Sequence, residues 1–411
     1  MVDAPTVARR LAPDGRNLGI DTARGLALFG MMITHIIAFT AEDGSFTRAV
    51  WFAGRSSALF AVLAGFSVVL STRRVLARPG GRAWAAAASG LVLRGIIIGV
   101  IGLLLGLVSS SIAIILTFYG VMFVLAPLFL RLPPLALGLL APLWLTLVPV
   151  LSMVVRREFG LETSYIVPTP GDLVTPGPLL TDLLLTGYYP VVPWMGYLIL
   201  GMFLARLDWR APRTAITAQL IGLGTAVLAK AVSSLLLTAG GRSALEATLG
   251  PVPAGEPGSL EHTLTTGSYG ITPPDSWWWL ATAGPHSATP FDLLHTAGLA
   301  AAVLGVCSLA AIVLGERAWL LAPLSAPGSM PLSVYTGHVV FLEISRLAPI
   351  RSLVELMIHV GLAVLFALLW RGFASPRGPL EWPVSSAVRA VQRRVLGDSR
   401  PTPGDTRDPV R

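Results

Sequence analysis

Apolar residues run through this chain in long blocks of about 20, not in the alternating or three-to-four-residue rhythm of a soluble fold. The blocks fall near 18–40, 51–71, 84–108, 111–130, 133–155, 188–206, 214–238, 291–315, 328–346 and 351–371. A helix rises about 1.5 Å per residue, so each block is long enough to cross a bilayer. The pattern predicts an all-α, polytopic integral membrane protein of about ten transmembrane helices. The gaps at 109–110 and 131–132 are so short that the third, fourth and fifth spans must be antiparallel neighbours. Three regions follow: an N-terminal segment, 1–17; a transmembrane domain, 18–371, with long polar loops at 156–187 and 239–290; and a basic tail, 372–411. The tail carries an amphipathic patch from Trp382 to Leu396, expected to lie on the inner leaflet, and its last dozen residues are expected to be disordered.

Composition supports this reading. Charged residues are 13% of the 411 and mean hydropathy is +0.71, whereas a soluble domain carries about 25% charged residues. The net charge of +8 is almost wholly arginine, with Lys230 the single lysine, a bias that points to high-GC, bacterial coding. The arginines sit beside apolar spans, so lipid headgroups and topology account for them and nucleic acid is not implied. With the N-terminus inside, cytoplasmic segments hold 20 of the 30 Lys and Arg, the opposite face six, and the spans four. The positive-inside rule then places both termini in the cytoplasm of a multi-pass plasma-membrane protein, its first span an uncleaved signal anchor. One cysteine, Cys307, excludes an intrachain disulfide. Walker, dinucleotide-binding, H-E-x-x-H, C-x-x-C and G-x-S-x-G patterns are absent, so the sequence calls for no metal and no ATP-driven step.

Ionisable residues within the spans are the candidate chemistry, because each is costly in lipid. Arg24 and His35 are eleven positions apart, three helical turns plus about 20°, and so share one face at a separation of about 16 Å. Asp21 lies one turn before Arg24, within pairing distance. His35 is open to two readings, a hydrogen bond to a neighbouring helix or a general base acting on a sugar hydroxyl or amine. Arg55, at the outer end of the second span, either supports an oxyanion or snorkels to headgroups. Gly65 allows close helix approach. Arg94, Lys230, Asp292 and Glu343 are further intramembrane charges whose pairing the sequence leaves open. His286, on the outer side in Pro285-His286-Ser287, precedes Thr289 or Asp292 as a helix cap. Tyr335 and His338 share the ninth span. The cluster Trp277, Trp278 and Trp279 reads as an interfacial anchor, with a sugar platform as the alternative. His262 and His359 have no chemical neighbourhood in the sequence.

The segment Ile20-Asp21-Thr22-Ala23-Arg24-Gly25 resembles the "ID-x-x-RG" opening of transmembrane acyltransferases. That group contains the heparan-α-glucosaminide N-acetyltransferase catalytic domain, the YeiB-like proteins and, more distantly, bacterial glycan O-acyltransferases with an arginine, ten residues, then a histidine. Four further stretches look alike in the same order: Gly54-Arg55 through Gly65, Tyr189 to Tyr197, Pro285 to Leu294, and Met330 to His338. The resemblance implies transfer of an acyl group, typically acetyl from acetyl-CoA, to a glycan or glycolipid acceptor across the membrane. It makes His35 the catalytic candidate, supported by Arg24, Asp21 and Arg55. His286, Asp292, Lys230, Tyr335 and His338 become acceptor-side residues, and Arg73, Arg74 and Arg94 contacts for the donor's phosphates. Membrane lipids are the surrounding partners, and a homodimer is compatible with the chain. A secondary transporter or exporter also fits ten spans with buried charges, although no five-plus-five repeat or matched pair of broken helices is evident.

Overall fold

A computed structural model describes residues 10–398, apart from 12, 14, 110, 254, 348 and 349. The last dozen residues, expected to be disordered, lie outside the described residues. Among the described residues the chain is helical, with one isolated bridge between Thr40 and Phe46. A helix stands at each of the ten expected positions: α1 (Leu18–Ile36), α2 (Arg55–Leu76), α3 (Gly81–Val108), α4 (Ile115–Leu125), α5 (Pro134–Glu158), α7 (Val191–Leu204), α8 (Pro212–Leu236), α11 (Pro290–Leu314), α13 (Pro331–Ser345) and α14 (Ser352–Leu369). The others are α6 (Pro176–Thr181), α9 (Arg242–Leu249), α10 (Leu260–Thr266), α12 (Ala322–Ser329) and α15 (Glu381–Leu396).

Among the described residues, six stretches are by themselves long and apolar enough to cross a membrane: Arg48–Leu76, Gly81–Val108, Pro134–Glu158, Pro212–Leu249, Pro290–Ser329 and Ser352–Ala374. The pair Pro176–Thr186 and Val191–Leu204, bent by 54°, makes a seventh if it is one span. The remaining expected spans fall short for physical reasons. The helix through Ile115–Phe129 is apolar but brief, α13 has 15 residues, and α1 carries Asp21, Arg24 and His35. An interior helix can hold such charges because other helices, not lipid, surround it.

Lipid-type faces are plain on the periphery. Leu139, Leu143, Leu147 and Leu151 recur every fourth residue of α5, and each is more than half exposed. That stripe would be an aggregation surface in water and is an ordinary one in hydrocarbon. Inside the bundle, α1 packs against α2, α11, α12, α13 and α14, while α2 packs along α7 and α8 along α11. Glycine permits the closest crossings. A Cβ on Gly328 would stand 1.8 Å from the Asp21 carbonyl oxygen, and one on Gly65 would stand 2.0 Å from that of Leu198. The packing role read for Gly65 is thus backbone against backbone, α2 on α7.

The first and last described residues lie at one end of the bundle, the termini end, where Arg10 Nη1 donates to the Gly372 carbonyl at 2.9 Å and Arg78 Nη1 donates to the Asp398 carboxylate at 2.7 Å. The tail helix α15 does not lie free on a surface. It packs along α3, burying Val384 and fitting Gln392 over Gly90, where the missing Cβ leaves room. At the far end, the two long loops contain short helices and tie to each other: Arg156 donates to Thr272 O at 2.6 Å, and Tyr165 packs on Tyr269. The tryptophan cluster splits there. Trp279 is core, its indole N–H on Asp275 at 2.8 Å, whereas Trp277 and Trp278 remain partly exposed. Only those two are placed for an interface or a ligand. Gly65→Leu is expected to force α2 from α7 and lower the thermal unfolding midpoint by several degrees, read by size-exclusion fluorescence after heating; an unchanged midpoint would show that the crossing is not tight.

Candidate active site

Asn17 caps α1 by accepting from Ile20 N–H, which sets the helix start just before its ionisable row. Asp21 is 3% exposed and accepts from two arginines, Arg16 Nε and Arg24 Nη1, the latter at 3.0 Å. Arg24 turns its other nitrogen, Nη2, to Ser67 Oγ of α2 at 2.7 Å. The carboxylate therefore fixes both guanidiniums, and Ser67 fixes Arg24 against the next helix.

Arg24 stands between two cavities. One, of about 560 Å³, opens at the termini end and is lined by Arg16, Asp21, Arg24, Arg73, Asp208 and Arg210 among others. The other, about 130 Å³, lies deeper, between Arg24, Ser67, Arg94, Tyr119, Leu332 and Glu381. Four guanidiniums against two carboxylates make the outer cavity a cationic mouth suited to a polyphosphate. Arg94 joins Arg24 in the inner cavity, its guanidinium 6.0 Å from the Phe123 ring centre. Arg73 is at the mouth, whereas Arg74 lies one residue on, at the exposed end of α2, outside the walls of either cavity. Glu381 is a residue the sequence did not mark. It caps α13 by accepting from Leu332 N–H at 2.7 Å and Ser333 N–H at 3.1 Å, and so anchors α15 beside the inner cavity.

Three turns along α1, His35 meets a histidine cluster. Its Nδ1 is 3.1 Å from His338 Nε2, the two rings stacked within 10°. His338 Nδ1 is 2.8 Å from His359 Nδ1, and His359 Nε2 is 4.0 Å from the Glu355 carboxylate. His338 and His359 are buried. A third cavity, about 270 Å³, touches both and reaches α1 at Met32, one turn before His35. None of the three cavities includes His35 in its wall. His359 was invisible in the sequence because its histidine partner, His338, comes from the preceding helix through packing and not from local spacing, although Glu355, four residues earlier, was a local signal.

A second focus lies at the far end. Gly54 N–H donates to His286 Nε2 at 3.1 Å, joining the start of α2 to the loop before α11. His286 is walled by Tyr188, Tyr189 and Trp194. Burial, with a smaller influence of the His35 imidazole, pushes His286 down to about 3, so the ring is neutral. Its proton must then sit on Nδ1, which is buried without a partner. His286 and Ala288 adopt positive φ, 50° and 47°, a strained turn held by Asp292, which accepts from Ser287 and Ala288 N–H. Thr289 is the helix cap, accepting from Asp292 N–H at 3.2 Å. Asp292 is thus a turn-holding residue, within electrostatic reach of Lys230 and Arg55.

Other candidates are placed differently. Arg55 Nη1 donates to the carbonyls of Val50 and Trp51, closing the turn ahead of α2. Lys230 donates to Ala283 O at 2.8 Å, bracing the His286 loop from α8. Tyr335 is buried in the core. Glu343 faces Ser109 and Ser111 at the far end, not the histidines.

Residues 16–236, just over half of the chain, match the family described as heparan-alpha-glucosaminide N-acetyltransferase, catalytic. The chain belongs to that family. No curated protein matches it. The matched part of this N-acetyltransferase family member runs from α1 to α8 and includes Arg24, His35, Arg55, Arg73 and Arg94; His286, His338, Glu355 and His359 lie beyond it.

Removing the shared carboxylate would leave two guanidiniums uncompensated. Asp21→Asn is expected to cost about 3–5 kcal/mol of stability, measured as a lower denaturation midpoint in detergent; wild-type stability in that variant would show that the pairing does not hold α1.

Proposed function

We propose that the protein is a membrane-embedded acyltransferase, moving an acyl group, acetyl in the simplest case, from acyl-CoA to a glycan or glycolipid acceptor on the other side of the membrane. The observation that carries this reading is the disposition of α1: one helix presents Arg24 to an arginine-lined mouth and, about 16 Å on, His35 to a buried histidine cluster. In this reading the helices at all ten positions belong to the transmembrane bundle, the termini end is cytoplasmic, as its arginines favour, and the far end faces the outside.

The cationic mouth fits the donor. Arg16, Arg73 and Arg210 would receive the phosphates of CoA, while Arg24 and Arg94 would guide the thioester end inward. His35 then acts as general base on the acceptor's amine or hydroxyl. The nucleophile attacks the thioester carbon, the carbon–sulfur bond breaks, and the sulfur leaves as thiolate and takes up a proton. The far-end loops, with the two accessible tryptophans and the His286 turn, form the acceptor side. His286 Nδ1–H is a pre-placed donor there, directed by the bond its other nitrogen accepts from Gly54.

One observation favours a transporter instead: the bent pair Pro176–Thr186 and Val191–Leu204, since broken helices build many alternating-access sites. Substrate flux into proteoliposomes without acyl-CoA would support that alternative.

His35→Ala is expected to lower acetyl transfer from radiolabelled acetyl-CoA at least about 100-fold with the protein still folded; full activity would remove His35 from the reaction. Arg73→Ala and Arg210→Ala are expected to raise KM for acetyl-CoA several-fold with kcat nearly unchanged. The opposite pattern, kcat falling at constant KM, would place the donor's phosphates elsewhere.

A further inference from the structure

His35, His338 and His359 come from three different helices, yet their nitrogens line up as a hydrogen-bonded chain, with the Glu355 carboxylate 4.0 Å beyond its last nitrogen, His359 Nε2, which has no hydrogen-bond partner among the described residues. Each neutral imidazole carries one N–H, so the two nitrogen–nitrogen contacts can be satisfied together in only two ways. In one, His359 holds its proton on Nε2, facing Glu355; His338 then donates from Nδ1 to His359, and His35 donates from Nδ1 to His338. His35 is left with a bare Nε2. In the other, every proton is reversed, and His359 turns a lone pair toward the carboxylate. Glu355 repels that arrangement and favours the first. Its Oε1 also accepts from Ser345 Oγ at 2.6 Å, which holds the carboxylate in place. The cluster therefore presents His35 as a base.

We propose that His338 and His359 form a proton relay behind His35, carrying the acceptor's proton to Glu355 and returning it to the leaving sulfur. The proposal rests on the acyl-transfer reading. When the nucleophile bonds to the thioester carbon, its proton goes to His35 Nε2. His35 passes its Nδ1 proton to His338 Nε2, His338 passes its Nδ1 proton to His359 Nδ1, and His359 passes its Nε2 proton to Glu355 once a side-chain rotation closes the 4.0 Å gap between them. The imidazoles end in the second arrangement, all neutral, with Glu355 protonated. As the carbon–sulfur bond breaks, the sequence runs backwards and His35 protonates the thiolate. The sum is nucleophile–H plus thioester giving acylated product plus thiol, with no proton gained or lost.

The physical gain is charge management. A lone His35 would become an imidazolium in a poorly solvated interior, with the Arg346 guanidinium and the His286 ring facing it from the far end. The relay moves that positive charge to a carboxylate, where it is neutralised. His338 and His359 are positioning residues in this scheme, since neither touches the substrate. The 270 Å³ cavity at their side is large enough for a free imidazole.

Two measurements on the full-length protein in membranes test this. With acetyl-CoA and glucosamine as probes, His359→Ala is expected to lower kcat at least tenfold at unchanged KM for acetyl-CoA, with added imidazole restoring part of the loss. His338→Gln, which keeps the polar contact but cannot relay, is expected to lose activity without rescue. The second readout needs no turnover. The chain has six histidines, so solid-state NMR of ¹⁵N-histidine protein can follow each ring, and His359→Gln is expected to shift the protonated nitrogen of His35. A folded His359→Gln variant with an unchanged His35 signal would overturn the relay whatever the activity. A shifted His35 signal together with no acetyl transfer by the wild type would instead overturn the acyl-transfer reading and the relay's role in it.

Discussion

One buried carboxylate shared by two guanidiniums sets the geometry of this protein. Asp21 binds Arg16 and Arg24, and this fixes the register of α1 against α2 through Ser67. A helix carrying such a row cannot face lipid, so α2, α11, α12, α13 and α14 must enclose it. Enclosure in turn requires close approach, which Gly328 supplies where α12 crosses the Asp21 backbone. The cavities beside Arg24 and the histidines beside His35 are consequences of that one helix being held, charged, in the interior.

The helices were legible in the sequence, because a bilayer demands long apolar blocks and leaves little ambiguity about their positions. The Arg24–His35 register was legible too, being a property of one helix. Long-range pairing was not. His359 has only apolar residues and Glu355 near it in sequence, and becomes meaningful when α14 lies beside α13. Lys230 and Asp292 read as pocket charges, whereas the fold gives Lys230 a loop carbonyl and Asp292 a strained turn. The amphipathic tail illustrates the same limit: its apolar face suits a membrane surface and a partner helix equally, and the sequence did not show that part of that face packs on α3 at Gly90.

The two ends of α1 handle charge differently. At the termini end, guanidiniums outnumber carboxylates and stay accessible, an arrangement that attracts a multiply charged anion. At the His35 end the imidazoles are buried or half-buried and paired nitrogen to nitrogen, which suits moving protons and not binding ions. The chain belongs to an N-acetyltransferase family, and the asymmetry between the two ends of α1 is what the proposed direction of transfer rests on.

The central claim is that a donor entering at the arginine mouth reaches toward His35. Its most direct test is a cryo-EM structure of the protein in nanodiscs with a thioether analogue of acetyl-CoA that cannot transfer its acyl group. The account expects phosphate density among Arg16, Arg73 and Arg210, with the arm passing Arg24 and its end approaching His35. Density for the analogue at the far end, or in the apolar groove lined by Ala141, Leu145, Phe203 and Ala301, would contradict it.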